Sequence, residues 1–337
     1  MKWNYSTTLI CTCFILLACK GDLESVAVNT SSIQIVYEAQ LDIYTVSSEG
    51  TNLKRLTLGL GGSHPRWSPD GKWIAYYCVN SEHRMTLYMM NRDGTMNELI
   101  TNVSEPYQVS PIMFEWSPTG EYIAYITPDY RLAVLDMNTR QTQMITEGNV
   151  AALPHWSPDG TKILFSYAES GVPDAHIVNR DGSGMRALAS QFHHSFASDW
   201  SKDSNKILVG CSSDSTIPSP INLFSMYPDG SELKQLTFDG RTSGGAYSPD
   251  GSTIFFLDSS RTLCTMKTDG SSKNAIIYLG DYFYKKIKNS SDGTTIFYLR
   301  LVPNALGLYS LCKSNSRGEN FIVLKDSVGS DFDIFAE

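Results

Sequence analysis

The 337-residue chain has little of what marks a nucleic-acid-binding protein. Its 27 Lys and Arg stand against 35 Asp and Glu, which gives a formal net charge of -8. Affinity for a phosphate backbone depends on clustered basic residues. The densest basic group, Lys285, Lys286 and Lys288, is isolated in the sequence. The composition therefore predicts that nucleic acid is not a partner.

The chain also lacks the short motifs that mark common catalytic and metal sites. It contains no G-x-S-x-G nucleophile elbow, no H-E-x-x-H helix and no C-x-x-C pair. Glycine and proline are scattered rather than concentrated in one tract, so no disordered domain is expected. These absences favour a folded protein without catalytic residues or a cofactor.

A hydrophobic run long enough for a permanent transmembrane helix is missing as well. The apolar segment from Leu9 to Ala18 follows the basic Lys2, so residues 1–18 are predicted to be an export signal. The letters LLAC, which end at Cys19, are similar to the lipobox of bacterial lipoproteins. That resemblance implies cleavage before Cys19, attachment of acyl chains such as palmitate to it, and a lipidated tether over residues 19–30.

The residue after the lipobox bears on the destination of the protein. Lys20 stands where an inner-membrane retention signal of the enterobacterial type would have Asp, so the resemblance implies the outer membrane, facing the periplasm or the cell surface. Two acyl chains hold a protein stably on a membrane. The alternative is an ordinary secretory signal with a chance cysteine.

One short phrase recurs along the rest of the chain. Trp-Ser-Pro-Asp-Gly at residues 67–71 returns in related forms at spacings of 40 to 49 residues. Each unit continues with an apolar strand, a variable loop, a second strand, an Asp-Gly turn and a strand ending near Leu-Thr. Four short strands in a period of this length are typical of a β-propeller blade. The anchor positions are Trp67, Trp116, Trp156, Trp200, Tyr247 and, in degenerate form, Asn289.

The chemistry of the phrase explains why it recurs. Serine can bond the turn backbone, proline presets φ near -65°, and glycine accepts a positive φ that a Cβ would penalise. The anchor indole lies on an inner strand that neighbouring blades cover, where it can bury roughly 150 to 250 Å². We therefore expect every blade to use the same tight turn and the same contact with its neighbour.

The two ends of the chain predict a closed ring. Strands two, three and four of a blade precede the first anchor, and Ser330–Glu337 reads as an inner strand with nothing after it. Joining them completes a blade and removes open sheet edges. We predict an all-β propeller of seven four-stranded antiparallel blades, a single domain over residues 31–337. Six blades is the alternative if residues 284–325 do not form a full blade.

Cysteine is sparse in the predicted propeller. Seven cysteines occur in the chain, and three of them lie in the signal or at its end. Cys78 and Cys211 fall at the same strand position of units three apart, whereas a disulfide needs Cα atoms within about 7 Å. We therefore expect buried thiols. The remaining cysteines are Cys78, Cys211, Cys264 and Cys312.

The repeat resembles that of the TolB-like (WD40-like) propeller family. The pattern Pro-x-Trp-Ser-Pro-Asp-Gly, Ile-Ala-Tyr, Leu-Tyr, Asp-Gly, Leu-Thr is clearest in residues 65–101 and 154–188. The resemblance covers residues 31–337 and implies the fold, but not a function. TolB itself is a soluble periplasmic protein with an α/β domain before its propeller, whereas residues 19–30 alone separate Cys19 from the predicted propeller here. The role of TolB in docking to envelope partners is therefore not carried over.

Blade topology places the variable loops at one end of the ring and the Asp-Gly turns at the other. Loops of differing length on a rigid scaffold are where binding residues concentrate, and Tyr and Arg are favoured contact residues. We therefore predict the working surface at the loop end. The candidate binding residues are His83, Arg84, Tyr107, Tyr130, Arg131, His194, Arg241, Tyr282 and Arg300.

Two functions are consistent with these features. The leading interpretation is a lipid-anchored, monomeric envelope propeller that binds a protein or a glycan through its loop end. The alternative is a metal-assisted lyase or hydrolase for acidic sugars, because four histidines lie in or just before inner strands and could converge on a central channel. Some seven-bladed polysaccharide lyases with similar repeats bind a metal in that way. These histidines are His64, His155, His193 and His194.

Overall fold

The structure is a computed structural model in which most of the repeat region is described. The described residues are 33–59, 61–79, 85–102, 114–127, 129–147, 151–168, 172, 174–215, 220–240, 242, 244–278, 287–302 and 308–336. The first fourteen strands are β1 (Ile33–Ala39), β2 (Asp42–Ser47), β3 (Lys54–Arg55), β4 (Ser63–Trp67), β5 (Trp73–Val79), β6 (Met85–Asn91), β7 (Glu98–Asn102), β8 (Phe114–Trp116), β9 (Tyr122–Ile126), β10 (Leu132–Asp136), β11 (Thr142–Met144), β12 (Ala151–Trp156), β13 (Lys162–Tyr167) and β14 (Asp174–Asn179).

The second half of the chain continues the same pattern of short strands. Its strands are β15 (Arg186–Ala187), β16 (His194–Trp200), β17 (Ile207–Ser212), β18 (Asn222–Met226), β19 (Lys234–Gln235), β20 (Gly245–Tyr247), β21 (Thr253–Leu257), β22 (Thr262–Lys267), β23 (Asn274–Tyr278), β24 (Ile287–Asn289), β25 (Thr295–Leu301), β26 (Tyr309–Asn315), β27 (Ile322–Val328) and β28 (Phe332–Ala336).

These strands form seven four-stranded antiparallel sheets, each of which is one blade. Blade 1 has the order β28-β1-β2-β3. Blades 2 to 7 follow the chain as β4–β7, β8–β11, β12–β15, β16–β19, β20–β23 and β24–β27. The prediction of seven blades is confirmed, and the degenerate unit that opens at Asn289 is the full blade 7.

The predicted closure is confirmed by the register of blade 1. The last strand, β28, pairs antiparallel with β1, from Ile33 opposite Ala336 to Tyr37 opposite Phe332. Phe332 is fully buried in the cluster between blades 1 and 7. The C-terminal strand is therefore the innermost strand of the blade that the N-terminal strands begin.

The Ser-Pro-Asp-Gly turns have the hydrogen bonds that the sequence predicts. In the first of them, the Ser68 hydroxyl donates to Asp70 Oδ1 at 2.7 Å and accepts from the Trp73 amide at 3.0 Å. Gly71 has φ +66° and donates its N–H to the Ser68 carbonyl at 2.9 Å. The turn thus satisfies its own polar groups and connects an inner strand to the next strand of its blade.

The Leu-Thr pair at the end of the outer strand also has a physical reason. The Thr57 hydroxyl accepts a hydrogen bond from the Ile43 amide at 2.9 Å, and Thr237 does the same for the Leu223 amide at 2.9 Å. Both threonines are buried. An unsatisfied buried N–H would be costly, so the hydroxyl completes the edge of the blade where its ladder ends.

Hydrophobic packing is concentrated in the seams between blades. Every pair of neighbouring blades shares a cluster of buried apolar side chains. The five aromatic anchors lie in these seams and are at most 9% exposed, which confirms the predicted packing role. They are Trp67, Trp116, Trp156, Trp200 and Tyr247.

The four cysteines of the propeller are buried thiols, as predicted. Burial raises the pKa of the Cys211 thiol to about 12, and burial likewise raises that of Cys312 to about 12. Neither thiol is therefore ionised near neutral pH, and both serve as small core residues.

Residues 1–32, which hold the predicted signal, Cys19 and the tether, lie outside the described residues. In the part of the chain that the structure does describe, no helix has the length and apolar character needed to cross a membrane.

Candidate functional site

The propeller has two unlike ends. The turn face carries the Ser-Pro-Asp-Gly turns and the Asp-Gly turns, and the loop face carries the second loop of each blade and the connections between blades. Of the nine predicted binding residues, four are described. Five others lie outside the described residues: His83, Arg84, Tyr107, Arg241 and Tyr282.

Tyr130 and Arg131 lie together in the hairpin between β9 and β10. Tyr130 has φ +58° and donates its N–H to the Thr127 carbonyl at 2.9 Å. The Arg131 guanidinium forms an ion pair with Asp129, whose carboxylate also accepts from the Thr127 hydroxyl at 2.6 Å. Both side chains are partly exposed. The charge of Arg131 is therefore already paired within its own loop.

His194 and Arg300 are placed differently. His194 opens β16, and its ring lies 4.7 Å from that of His193. The Arg300 guanidinium carbon lies 5.7 Å from the centre of the Phe321 ring, so this side chain packs along its own blade. The four described candidates thus come from blades 3, 5 and 7 rather than from one hairpin.

The loop face also presents apolar side chains that the sequence reasoning missed. Leu58 and Phe238 are each 78% exposed and occupy the same position in the repeat, directly after Leu-Thr. Leu41 and Val79 are also exposed and lie beside the glycines that follow Leu58: the Leu41 carbonyl accepts from the Gly62 amide at 2.9 Å, and the Val79 nitrogen lies 3.7 Å from where a Cβ on Gly61 would be. The sequence does carry a signal for these residues. The Leu-Thr pair ends the outer strand, so an apolar residue directly after it lies beyond the blade and is exposed.

A second feature lies on the propeller axis. The residue before each of the six anchor positions, together with Asp333 at the equivalent place on β28, lines a central cavity of about 590 Å³. We call these seven residues the central ring. In the order of blades 1 to 7 they are Asp333, Arg66, Glu115, His155, Asp199, Ala246 and Lys288.

The acids of the central ring join neighbouring blades. Asp333 Oδ2 accepts from the Trp67 amide at 3.0 Å, Glu115 Oε2 from the Trp156 amide at 2.7 Å, and Asp199 Oδ2 from the Tyr247 amide at 2.8 Å. In each case the acid of an odd-numbered blade accepts the backbone N–H of the anchor in the next blade. These carboxylates therefore satisfy buried amides and hold the blades in register.

One part of the ring is neutralised by ion pairs, and we call it the closure sector. Lys288 Nζ lies 3.1 Å from Asp333 Oδ1, and Arg66 donates to Asp331 Oδ2 at 2.8 Å. The charge of Asp333 raises the pKa of Lys288. All four groups therefore meet an opposite charge where β28 lies between blades 7 and 2.

The remaining charged part, the acidic sector, consists of Glu115, His155 and Asp199. None of these three forms an ion pair with another described residue. Burial raises the pKa of Glu115 to about 7 and that of Asp199 to about 6. Burial lowers the pKa of His155, which the charge of Asp199 partly offsets. At neutral pH the sector is therefore an uncharged imidazole between two carboxyl groups that are close to their titration range.

The predicted convergence of histidines is wrong for three of the four. His155 lines the central cavity, whereas His64, His193 and His194 are not among the residues that line it. His64 lies by Glu38, and His193 lies by His194. Among the described residues, no three His, Cys, Asp or Glu side chains are placed so that they could hold a metal ion. The sequence signal for the real lining was the residue directly before each anchor.

This geometry defines the class of protein: a closed seven-bladed propeller with stereotyped turns at one end and a charged cavity on its axis. The chain matches the family model described as TolB beta propeller domain over residues 76–311, more than half of its length. It therefore belongs to the TolB β-propeller family, as its repeat predicted.

Similar proteins share parts of this sequence and this fold. An uncharacterised protein of Agrobacterium fabrum (strain C58) is 26% identical over 144 residues, which are 37% of this chain and 46% of that protein. The chain thus spans about half the length of that relative. TolB from Acinetobacter baumannii superimposes with a TM-score of 0.57 at 16% identity, covering 90% of this chain and 66% of that one.

A third similar structure is an oligogalacturonate lyase from Vibrio parahaemolyticus. Its TM-score is 0.61 at 14% identity, with 77% of this chain and 80% of that chain covered. At such identities these likenesses to solved structures concern the fold alone.

Proposed function

We propose that the protein is a lipid-anchored binding module of the bacterial envelope that docks a partner protein through its loop face. The observation that carries the proposal is the set of exposed apolar side chains there. Leu41 and Val79 flank the two glycines that follow Leu58, and Phe238 repeats the position of Leu58 four blades further on. Grouped exposed apolar side chains are typical of interaction surfaces.

The direction of the first strand supports the loop face as the docking surface. β1 pairs with the innermost strand β28 and runs from the turn face, at Ile33, to the loop face, at Ala39. The described chain therefore enters the propeller at its turn face, at the opposite end from the proposed docking surface.

Crosslinking in native membranes tests the proposal. We compare the wild type with a loop-face variant, Leu58→Ser with Phe238→Ser, and a turn-face control, Leu53→Ser with Met96→Ser. The control residues are also exposed, at 52% and 68%. We expect the loop-face variant to lose its crosslinked partner by about tenfold, as interface contacts of this kind do, while the control keeps it. Equal crosslinking by all three proteins would contradict the proposal.

A metal-assisted lyase or hydrolase that acts on acidic sugars is the second candidate function. Glu115, His155 and Asp199 line one cavity, and the fold is shared with an oligogalacturonate lyase. A metal-assisted lyase or hydrolase needs three or more ligands in place. The described residues do not supply such a set, so the binding module is the better supported function.

A further inference from the structure

We propose that the acidic sector of the central cavity is a binding site for a protonated primary amine on a short alkyl chain. The site lies on the propeller axis and is separate from the loop face, so it does not depend on the function proposed above. Glu115 projects from β8, His155 from β12 and Asp199 from β16, three consecutive inner strands.

The distribution of charge around the cavity carries the proposal. The groups that face it are Arg66 on β4, Glu115, His155, Asp199, Lys288 on β24 and Asp333 on β28, while β20 supplies the uncharged Ala246. The two cations are already paired with Asp331 and Asp333. Among the residues that the structure describes, Glu115 and Asp199 therefore have no ion-pair partner when they ionise, and this side of the cavity is short of positive charge.

The carboxylates also keep unused hydrogen-bonding capacity. Glu115 accepts one backbone N–H on Oε2, and Asp199 accepts the Tyr247 amide on Oδ2. An ionised carboxylate has about four acceptor sites, and an ammonium group has three donors and no acceptor. A primary ammonium can therefore bond either carboxylate without displacing the bonds that hold the blades together.

The walls suit the rest of such a ligand. Phe114, Pro154 and Tyr247 line the same cavity as the charged groups. They offer apolar surface to an alkyl chain whose charged end lies against Glu115 and Asp199. A free divalent cation fits less well, because the described residues do not bring three ligand side chains together. The chemistry thus points to an organic ammonium ion.

Calorimetric titration with n-butylammonium tests the proposal, with 1-butanol and butyrate as uncharged and anionic probes of equal chain length. We expect saturable binding of the amine and none of the two controls. Glu115→Gln with Asp199→Asn should weaken amine binding at least about tenfold, as loss of a charge-assisted pair does. Glu98→Gln removes an exposed carboxylate that pairs with Arg140 outside the cavity and should leave binding unchanged.

A pH series on the wild type keeps the test valid even if the double variant folds poorly. The ligand stays protonated between pH 5 and pH 8, whereas the two carboxyls lose their protons over that range. Amine binding should therefore strengthen as the pH rises. Binding that is flat or weaker at high pH would overturn the proposal, as would equal binding of butylammonium and butyrate, or equal affinities of the wild type and the double variant.

Discussion

The closure sector and the acidic sector occupy equivalent positions of the repeat, yet their buried carboxylates are compensated by different groups. In both, a carboxylate accepts the backbone N–H of the next anchor. In the closure sector Asp333 also meets Lys288, and the neighbouring Arg66 meets Asp331. In the acidic sector, Glu115 and Asp199 have only backbone donors within hydrogen-bonding distance among the described residues.

The difference follows from the covalent structure of the chain. In blades 3 to 5 a tight turn joins the inner strand to the second strand of the same blade. Blade 1 is assembled from the two ends of the chain, so its inner strand β28 has no such covalent connection to its second strand β1. Glu38 adds to this seam: its carboxylate accepts from the Ser330 amide at 2.7 Å and from the His64 amide at 2.8 Å. We infer that side-chain pairing replaces the missing connection.

The largest effect is expected from Arg66→Ala. Asp331 and Asp333 are 5% and 7% exposed, and removal of the guanidinium leaves their charge undercompensated. Loss of one partner from such a site costs about 3 kcal/mol or more in the free energy of unfolding. Urea unfolding measures the change. Arg140→Ala breaks the exposed pair with Glu98 and should cost below about 1 kcal/mol. Similar losses for the two variants would show that the closure sector is no stronger than a surface pair.

A smaller effect should separate two glycines of the same turn. Gly71 in blade 2 and Gly293 in blade 7 have φ +66° and +70°. A Cβ at Gly71 would lie 2.2 Å from the Phe335 ring, whereas a Cβ at Gly293 meets nothing within 4 Å. Gly293→Ala should therefore cost about 1 kcal/mol for backbone strain alone, and Gly71→Ala about 2 to 3 kcal/mol.

Thermal unfolding of the two glycine variants checks this comparison, because they differ only in what surrounds the new methyl group. The Phe335 ring packs 5.9 Å from the Trp67 ring, so a shift of Phe335 also loosens the closure. Equal melting temperatures for the two variants would mean that Phe335 and β28 can shift without any loss of stability. In that case the C-terminal strand would contribute little to the stability of the ring.

The fold was predictable from the sequence because its signals are local and repeated. A turn phrase needs glycine at one backbone position, an anchor needs a large apolar side chain, and both recur with every blade. Closure was predictable because unpaired strands at the two ends of the chain complement each other. The same reasoning predicts that Phe332 belongs to an inner strand, which its pairing with Tyr37 confirms.

The site was less predictable, because its residues share a position and not a residue type. The only feature that Arg66, Glu115 and His155 share in the sequence is their place before an anchor. They form a site because the fold brings them together around the propeller axis. The prediction of clustered histidines failed since His64 and His194 lie nearer the loop ends of their strands. Variable loops could be located from the sequence, but pairings such as Arg131 with Asp129 depend on the shape of each hairpin.

The pH dependence of stability tests the acidic sector directly. The pKa of Glu115 rises from 4.5 to about 7 and that of Asp199 from 3.8 to about 6, so the folded protein holds these protons more tightly than the unfolded chain. Their contribution to stability is complete below about pH 4 and is lost as the pH rises through about 6 to 7.

Glu115→Gln with Asp199→Asn removes both titrations while the amide oxygens still accept the anchor N–H groups. Between pH 4.5 and 7.5 the wild type should lose unfolding free energy relative to the double variant, whose two amides do not titrate. Glu98→Gln, which changes an exposed carboxylate, should give a profile parallel to the wild type. If the double variant were also parallel, the two carboxyls would be ionised in the folded protein without penalty, and the contrast between the two sectors would reduce to the ion pairs of blades 7, 1 and 2.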